Sequence, residues 1–526
     1  MIIRSVSTGR LATAAAHTEA ALAVHAPHLA DGFLAQLPHA ADTVGRRLRA
    51  ALTRENLTPA SAGGTRHAFN HVEYAGSGVG DPVELLAGLD SAGLDSFAAE
   101  IRNAVINLAI ALARFRPAPP TANPDQDAIR LERLAVAGHN LHPCGRTRLG
   151  WDTVDVLTHD LEAGPTTIGL IAVRDDHHLG DDLGTQLGLP PAPTGYRTQP
   201  VHTWQRDLIT SRYATYFTDG VLQHLDGTLD AEPTAALRTL YLPGTNTYLK
   251  LSLDIQVTST RRSISIASTR NGPALSHLLH RLTADDPDGH RLILLAETGG
   301  AAVPAGSGRD LSAIARDALT GRLTDGEHAI PGSALPAHDP ATGTTVLAGL
   351  VDTYGHGPAA WLTAYTRLLL PPLLRLATRG VALEAHLQNC LPTFIAGRPH
   401  RLALRDFAGL RLHPGRLTAA GHTLDLWPGS VVGTGDTELL LAKLGYTALQ
   451  AHLGELVIRL QQTHALPEDR AWRIIRDVVD ETYDQIGGHP DHATLTAPAV
   501  PHKALVRMRL AGEGDIYLPV SNPLHG

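Results

Sequence analysis

The chain has 526 residues, 43% of them hydrophobic and 18% charged, with a formal net charge of −8, 29 histidines and two cysteines. That length exceeds one hydrophobic core and calls for two or three packed units, while charge dispersed without a basic block argues against a nucleic-acid partner. Cys144 and Cys390 leave no room for a disulfide framework or a four-cysteine iron–sulfur site, which fits a cytoplasmic protein.

After Arg4 and Arg10 the N-terminus is broken by Thr, His and Glu, so it does not read as a signal peptide. From Leu11 to Arg116 the pattern is Ala- and Leu-rich at helical spacing, clearest from Asp95, read as an N-cap, through Ile101, Val105, Leu108 and Leu112. Pro117 to Asp127 has linker composition and ends this helical part. Thr166 to Val173 and Leu249 to Val257 read as strands of a mostly antiparallel sheet. His177 and His178 lie between them in an Asp/Gly-rich loop without metal-ligand spacing, and no HExxH pattern supports a zinc hydrolase. Helical signal returns from Pro358 to Gly380, where Pro371-Pro372 is expected to kink or restart the helix, and from Glu438 to Gln485. The most apolar runs, Val105 to Ala113 and Leu368 to Ala377, are too short to cross a bilayer, so no membrane partner is expected. The fold class is α+β.

Four stretches are dense in chemistry-bearing residues. The first, Gly138-His139-Asn140-Leu141-His142-Pro143-Cys144-Gly145-Arg146-Thr147-Arg148-Leu149-Gly150, looks at first like a P-loop. That reading fails, because six residues separate Gly138 from Gly145 and Arg146 stands where Lys is required. What remains is a loop able to grip an anion through charge-assisted bonds, or a basic surface loop. The second is Arg238-Thr239 followed by the run Lys250 to Thr258, whose alternation puts Lys250, Ser252, Asp254, Gln256 and Thr258 on one face. A straight strand holds Lys250 about 27 Å from Thr258, so the two serve opposite ends of a long ligand unless the strand bends. Thr258 or Ser259 is placed to cap a following helix beside Arg262. The plain alternative is an edge strand with a solvated face.

The third stretch joins Glu384, His386, Gln388 and Asn389, read as a strand with the first three on one face, to Arg405-Asp406 through a turn at Ala396 to Pro399. A hairpin centred between Gly397 and Arg398 sets Asn389 opposite Asp406. Glu384, Asn389 and Asp406 then form an all-oxygen set suited to Mg²⁺ bearing nucleotide phosphates. Taken singly, His386 reads as a satisfied core histidine and Asp406 as a partner for Arg405; buried together, these polar groups would be costly without a ligand. The fourth stretch, Lys503-Ala504-Leu505-Val506-Arg507-Met508-Arg509-Leu510, alternates basic and apolar residues as a strand does, and carries no assigned chemistry.

In this order, the four stretches resemble the IucA/IucC family of NRPS-independent siderophore synthetases. The likeness rests on the HP-containing basic loop, LRT followed by KLSL and TSxxR, LEAHLQN with Arg405-Asp406, and the KALVRMRL and NPL ending. It implies a three-part cupped hand: a helical thumb over 1–128, antiparallel-sheet fingers over 129–335, and an α/β palm with a helical C-terminal region over 336–526. It implies ATP and Mg²⁺ as cofactors, a polycarboxylate such as citrate and an amine or alcohol as substrates, and a homodimer. Arg238, Thr239 and Lys250 would hold ATP, His142, Arg146 and Arg148 its phosphates, and Gln388, Asn389 and Asp406 the nucleotide and its metal, supported by Glu384. Thr258, Arg262 and His386 would receive the acid, with His386, Arg262 and Lys250 carrying catalysis. Three positions depart from the family pattern: Asn140 stands for Pro, Arg146 for Lys, and Ala236 for Ser.

A carboxylate is a poor electrophile, and adenylation supplies its leaving group. The resemblance therefore implies attack of the acid on the α-phosphate of ATP with loss of pyrophosphate, then capture of the adenylate by the nucleophile with release of AMP, His386 either taking that proton or only binding substrate. The three departures admit a second reading, a catalytically silent paralogue that binds nucleotide or carboxylate in a regulatory or assembly role. The final region also looks like one shared with ferric reductases, an activity disfavoured by the lack of any cysteine after Cys390.

Overall fold

A computed structural model describes residues 2–59, 63–258, 260–512 and 514–526, the first eight of these as backbone only. Periodic Ala and Leu build α1 (Ile2–His25), α2 (Ala30–Arg54) and α3 (Leu94–Arg114). By length and composition α3 would pass for a membrane span, yet most of it is buried inside the protein. It starts one residue before the expected cap, with Asp95 in its first turn rather than ahead of it. The preceding Gly93 lies so close to the backbone of Leu510 that a Cβ would come within 2.4 Å of its carbonyl oxygen, which ties the helix start to the far end of the chain. The expected linker is shorter than its composition suggests, because Asn123 caps α4 (Pro124–Glu132), accepting bonds from the amides of Asp125 and Gln126.

An antiparallel sheet of eight strands forms the middle of the molecule. In chain order the strands used below are β1 (Arg148–Leu149), β2 (Thr166–Arg174), β3 (Leu179–Gly180), β4 (Tyr196–His202), β5 (Leu222–Pro233), β6 (Thr239–Leu242), β7 (Thr247–Leu251), β8 (Leu253–Val257), β9 (Thr260–Arg262), β10 (Leu292–Leu294), β11 (Glu297–Ala302) and β12 (Ser312–Asp317). The large sheet runs β3-β11-β12-β7-β6-β5-β2-β4. The run from Lys250 to Thr258 is not one straight strand: it breaks at Ser252, so that β7 belongs to the large sheet and β8 pairs with β9 and β1 in a small one. Ser252 fixes the break, donating its hydroxyl to the Arg309 carbonyl at 2.7 Å while its own amide bonds the Ser312 carbonyl. Arg262 consequently stands on a strand, and the helix that follows, α5 (Ile266–Ala284), is capped by Ser265 rather than Thr258. Ser259 lies outside the described residues.

The last part packs α6 (Gly357–Thr378) on a four-stranded sheet of β13 (His328–Ala329), β14 (Cys390–Ile395), β15 (Arg398–Leu404) and β10, with α7 (Thr437–Leu444), α8 (Gly454–His464) and α9 (Glu468–Ile486) alongside. Pro371 and Pro372 do not divide α6; each deletes one ladder bond, and a segment buried from Leu368 to Ala377 is held helical by packing. Between α7 and α8, residues Gly445–Leu453 form a π-helix, a form that recurs at functional sites. The C-terminal run expected as a strand is instead divided between β16 (Ala499–Lys503), which pairs with β17 (Tyr517–Ser521), and a helix, α10 (Leu505–Ala511). The helix wins because both oxygens of the buried Glu55 accept from its first free amides, Val506 and Arg507, at 2.8 Å each.

Candidate active site

Four segments distant in sequence meet around Lys250, which sits in the middle of the large sheet opposite Thr239 on β6 and Ile314 on β12. Its side chain is buried and its Nζ lies 2.5 Å from Asp406 Oδ1 and 3.6 Å from Glu297 Oε1. Against the penalty of burial, Lys250 and then Arg238 hold the Asp406 carboxyl well below the usual range. Glu297 behaves in the opposite way: burial raises its carboxyl, and neither oxygen finds a hydrogen-bond partner among the described residues. Lys250 is thus shared by two carboxylates, of which only Asp406 is close enough for a short charge-assisted bond.

Asp406 arrives there through strained backbone. Its φ is 65°, and Leu237 (61°), just before Arg238, and Thr258 (56°) are likewise left-handed. A β-branched residue in that region is a true outlier, and such strain gathers where side chains must be aimed against local preference. Thr258 and Arg262 make one unit, the Arg262 Nη2 donating to Thr258 Oγ1 at 2.8 Å and to the Val257 carbonyl at 3.2 Å. Arg238 donates to the carbonyls of Arg262 and Ser263 at 3.0 and 3.2 Å. Burial, and then Arg238, push the Arg262 guanidinium down to about 9, and its buried Nε has no partner among the described residues. A buried, unpartnered guanidinium nitrogen is an invitation to an anion.

The hairpin of β14 and β15 differs by one residue from the expected register. Its two-residue turn is Ala396-Gly397, both at positive φ, and His400 and Arg401 bulge opposite Thr393. Asn389 therefore faces Arg405, whose amide donates to its carbonyl at 3.1 Å, and not Asp406. Residues Glu384 to Asn389 form no strand; they turn, with the Gln388 amide donating to His386 Nδ1 at 3.2 Å and the Asn389 side chain donating to the Glu384 carbonyl at 3.1 Å. Nor does Asp406 pair with Arg405. Arg405 turns away to bind Glu132 and, through Nε and Nη2, the Gln388 carbonyl at 3.1 and 2.9 Å.

The expected three-oxygen metal set is consequently changed in form. Glu384 is paired with Lys443, and Asp406 with Lys250; no group of three or more His, Cys, Asp or Glu stands in metal-binding arrangement among the described residues. Of that set Asp406, held ionised by Lys250 and Arg238, keeps the character of a ligand for a hard cation that takes most of its other ligands from phosphate and water, as Mg²⁺ does.

The basic loop splits into two halves. Gly138 and Gly145 close it, each so near the opposite backbone that a Cβ would meet a carbonyl oxygen at 2.7 to 2.8 Å. His142 lies on the side of the Arg262 charge, buried, with Nε2 unpartnered among the described residues. Arg146 and Arg148 are instead saturated within the protein: Arg146 bonds the Val136 carbonyl, Asp160 and Glu162, and Arg148 bonds both oxygens of Asp160 at 3.0 and 3.2 Å. Neither presents a free nitrogen for phosphate in this arrangement. Asn140 donates to the Ala451 carbonyl and to Glu455, both at 3.1 Å, which moors the loop to the π-helix region. A separate cleft of about 560 Å³ opens beside β9 on the side of Arg261, but Arg212 satisfies Asp254 and Asp310 there at 2.8 and 2.7 Å. Several of the buried polar atoms left without a partner among the described residues belong to groups whose charges act on Lys250 or Asp406: Arg262 Nε, both oxygens of Glu297 and the Arg316 Nε that flanks it.

Sequence reasoning did not single out Glu132, Glu297 or Lys443. Each acts through a partner more than 45 residues away, and only Glu297, beside the two glycines of ETGG, stood in a segment with any local signal.

Residues 127–337 match the model of the IucA / IucC family, and residues 359–518 match that of the ferric iron reductase FhuF-like transporter family. The chain is 25% identical to the D-ornithine–citrate ligase of Staphylococcus aureus over 83% of its own length and 77% of that protein's. It is 26% identical to a citryl-spermidine/3,4-dihydroxybenzoyl-citryl-spermidine:spermidine ligase of Bacillus anthracis over 60% of its length and 56% of the relative's. In fold it is similar to the petrobactin biosynthesis protein AsbB from Bacillus anthracis (TM-score 0.83, 20% identity, 94% of this chain and 98% of that one). It is also similar to ATP-bound aerobactin synthetase IucA from Klebsiella pneumoniae (TM-score 0.74, 18% identity, 92% and 100%).

Proposed function

Because the chain belongs to the IucA/IucC family, whose relatives here carry the names of ligases, we propose that it is an ATP-dependent siderophore synthetase. It adenylates a polycarboxylic acid, citrate or a close relative, and joins it to an amine or alcohol with release of AMP and pyrophosphate. The observation that carries this reading is the convergence of Lys250, Asp406, Arg238 and Arg262 on one buried site rich in cations with unsatisfied nitrogens. Such a site suits two anions that must be brought together, a triphosphate and a carboxylate, whose mutual repulsion cations offset.

Lys250 and Arg238 take the phosphates. Arg262, steadied by Thr258, receives a carboxylate on its free Nε and turns an oxygen toward the α-phosphate, whose bond to pyrophosphate breaks as the new P–O bond forms. Asp406, with Asn389 supplying a side-chain oxygen from the neighbouring turn, would hold Mg²⁺, which when bound withdraws charge from the phosphate oxygens. Glu384 enters as the counter-ion of Lys443, and Arg146 and Arg148 as the pair that shapes the loop carrying His142. Thr239 and Gln388 line the nucleotide side. We place the thumb, fingers and palm at 1–128, 129–335 and 336–526, and we expect a homodimer in the cytoplasm.

The test is a pyrophosphate-release screen of di- and tricarboxylates with polyamines and amino alcohols, the products identified by mass spectrometry. A condensed product and stoichiometric AMP are expected with at least one pair. Tight ATP binding without pyrophosphate release for any acid would overturn the reading.

A further inference from the structure

A buried cation at the end of α2 has no counter-ion. Arg54, the last residue of that helix, is 7% exposed, and its guanidinium, Nε included, makes no hydrogen bond or ion pair among the described residues. The helix dipole favours a cation there but supplies no bonded partner. The carboxylates around it are committed elsewhere. Glu55 accepts from the Val506 and Arg507 amides, Glu455 from Arg459 at 2.8 Å and Asn140 at 3.1 Å, and Glu468 from the Ala68 amide at 2.8 Å, with His67 at 3.1 Å. Burial pushes the Arg54 guanidinium down to about 10 in spite of Tyr446, Glu55 and Glu455. Arg54 lines two openings. The inner one, against Leu141 and Gln450, holds about 20 Å³, room for a single water, which would satisfy an N–H but not the charge. The outer one is a cleft of about 530 Å³ that also takes in Arg66, Asn56, Asn70, Thr53 and Thr58, with no carboxylate among its described residues.

We propose that Arg54 and Arg66 form a second anion site, separate from the one at Lys250, for a small oxyanion of the phosphate or polycarboxylate type carrying two or more negative charges. Arg54 supplies a buried charge and Arg66 an exposed one. Guanidinium forks match the paired oxygens of either anion. Asn70 adds a neutral donor, because its Oδ1 already accepts from the Ser521 hydroxyl at 2.6 Å and its amide nitrogen is the group left to bond a ligand. A protein carboxylate would complete a structural ion pair, and the cleft contains none among its described residues, so the compensating charge has to come from outside the chain. The cleft shares no lining residue with the Lys250 site, and the inference stands whether or not the chain is a ligase. An anion that binds there offsets the cost of burying Arg54 and stabilises the fold by mass action.

The experiment titrates the full chain with sodium phosphate and, separately, with sodium citrate, at an ionic strength fixed by sodium chloride, and follows binding by calorimetry and by thermal melting. Every sample carries Arg262→Ala, which disables the acid site proposed above, and the readout needs no turnover. At least one anion should bind this background with a dissociation constant of about 1 mM or lower and raise its melting temperature by about 2 °C or more near saturation. Adding Arg54→Met should abolish that binding event or weaken it at least about tenfold, and adding the exposed Arg66→Met should weaken it about threefold or more. Without anion, Arg54→Met should melt no lower than its background, because a neutral side chain of similar length removes a charge that nothing in the chain compensates. Binding of phosphate alone assigns the site to phosphate, and binding of citrate alone assigns it to a polycarboxylate. Both anions also stabilise proteins by exclusion from their surfaces, an effect that Arg54→Met leaves untouched, so the difference between the chains is what is read. Equal binding with and without Arg54, no binding of either anion, or an anion-free Arg54→Met that melts several degrees lower would overturn the proposal.

Discussion

Replacing Arg405 by methionine should be among the most damaging single changes in the molecule. Its guanidinium is 7% exposed and lies against Glu132, itself 1% exposed, while two of its nitrogens hold the Gln388 carbonyl. Glu132 has one other bond near the site, from the Ala235 amide at 2.6 Å, so it ties the β5–β6 turn to the turn that carries His386. Burial acts to lower the Arg405 pKa, and Glu132 more than offsets it. Removing the cation leaves a buried carboxylate with one N–H, which costs about 3–5 kcal/mol. The pair as a whole contributes far less than that, because desolvating both ions offsets most of their attraction. Arg405→Met with Glu132→Leu should therefore recover most of the loss. Equilibrium urea denaturation followed by tryptophan fluorescence measures both variants. A single variant that loses under about 1 kcal/mol, or a double variant no more stable than the single, would refute the reasoning.

The remaining expectations concern pH, packing and metal. His67 sits between Glu468 at 3.1 Å and Glu73 at 3.5 Å; burial lowers its pKa, but the two carboxylates outweigh this and hold it up to about 9. The folded state then keeps a proton that the unfolded chain releases near 6.5. This contribution, on the order of 1 kcal/mol after solvent screening, is complete below pH 6.5 and disappears as pH rises to about 9. His67→Gln should flatten the fall in thermal stability across that window. Gly409→Ala would place a Cβ 1.8 Å from Glu384 Oε2 and force the carboxylate off Lys443, with a stability cost of about 1–3 kcal/mol and a fall in turnover; unchanged melting and turnover would contradict the packing described. Asp406→Ala should raise the Mg²⁺ concentration needed for half-maximal activity at least tenfold or abolish activity, so an unchanged metal titration would remove Asp406 from the metal's shell.

The sequence was most readable where structure is local. Apolar spacing marked α3, α6 and α9, and a strand-like run marked β2. It was least readable where one residue decides register or where a partner is remote. The bulge opposite Thr393 shifted the hairpin by one position, and no composition signal distinguishes Ala396-Gly397 from Gly397-Arg398 as the centre of its turn. The alternation in Lys503 to Leu510 suggested a strand, while the amides of Val506 and Arg507 are claimed by Glu55, some 450 residues earlier in the chain. Arg146 and Arg148 looked like phosphate ligands because their own loop offers them no counter-charge; Asp160 and Glu162 supply it from the next turn of chain.

Carboxylate-dependent exchange of labelled pyrophosphate into ATP, with no amine present, isolates the first half of the reaction. The account predicts exchange with citrate or a related acid, and its loss in Arg262→Ala, which removes the guanidinium proposed to receive the acid. Exchange that persists undiminished in that variant, or none from the parent protein with any polycarboxylate, would contradict it.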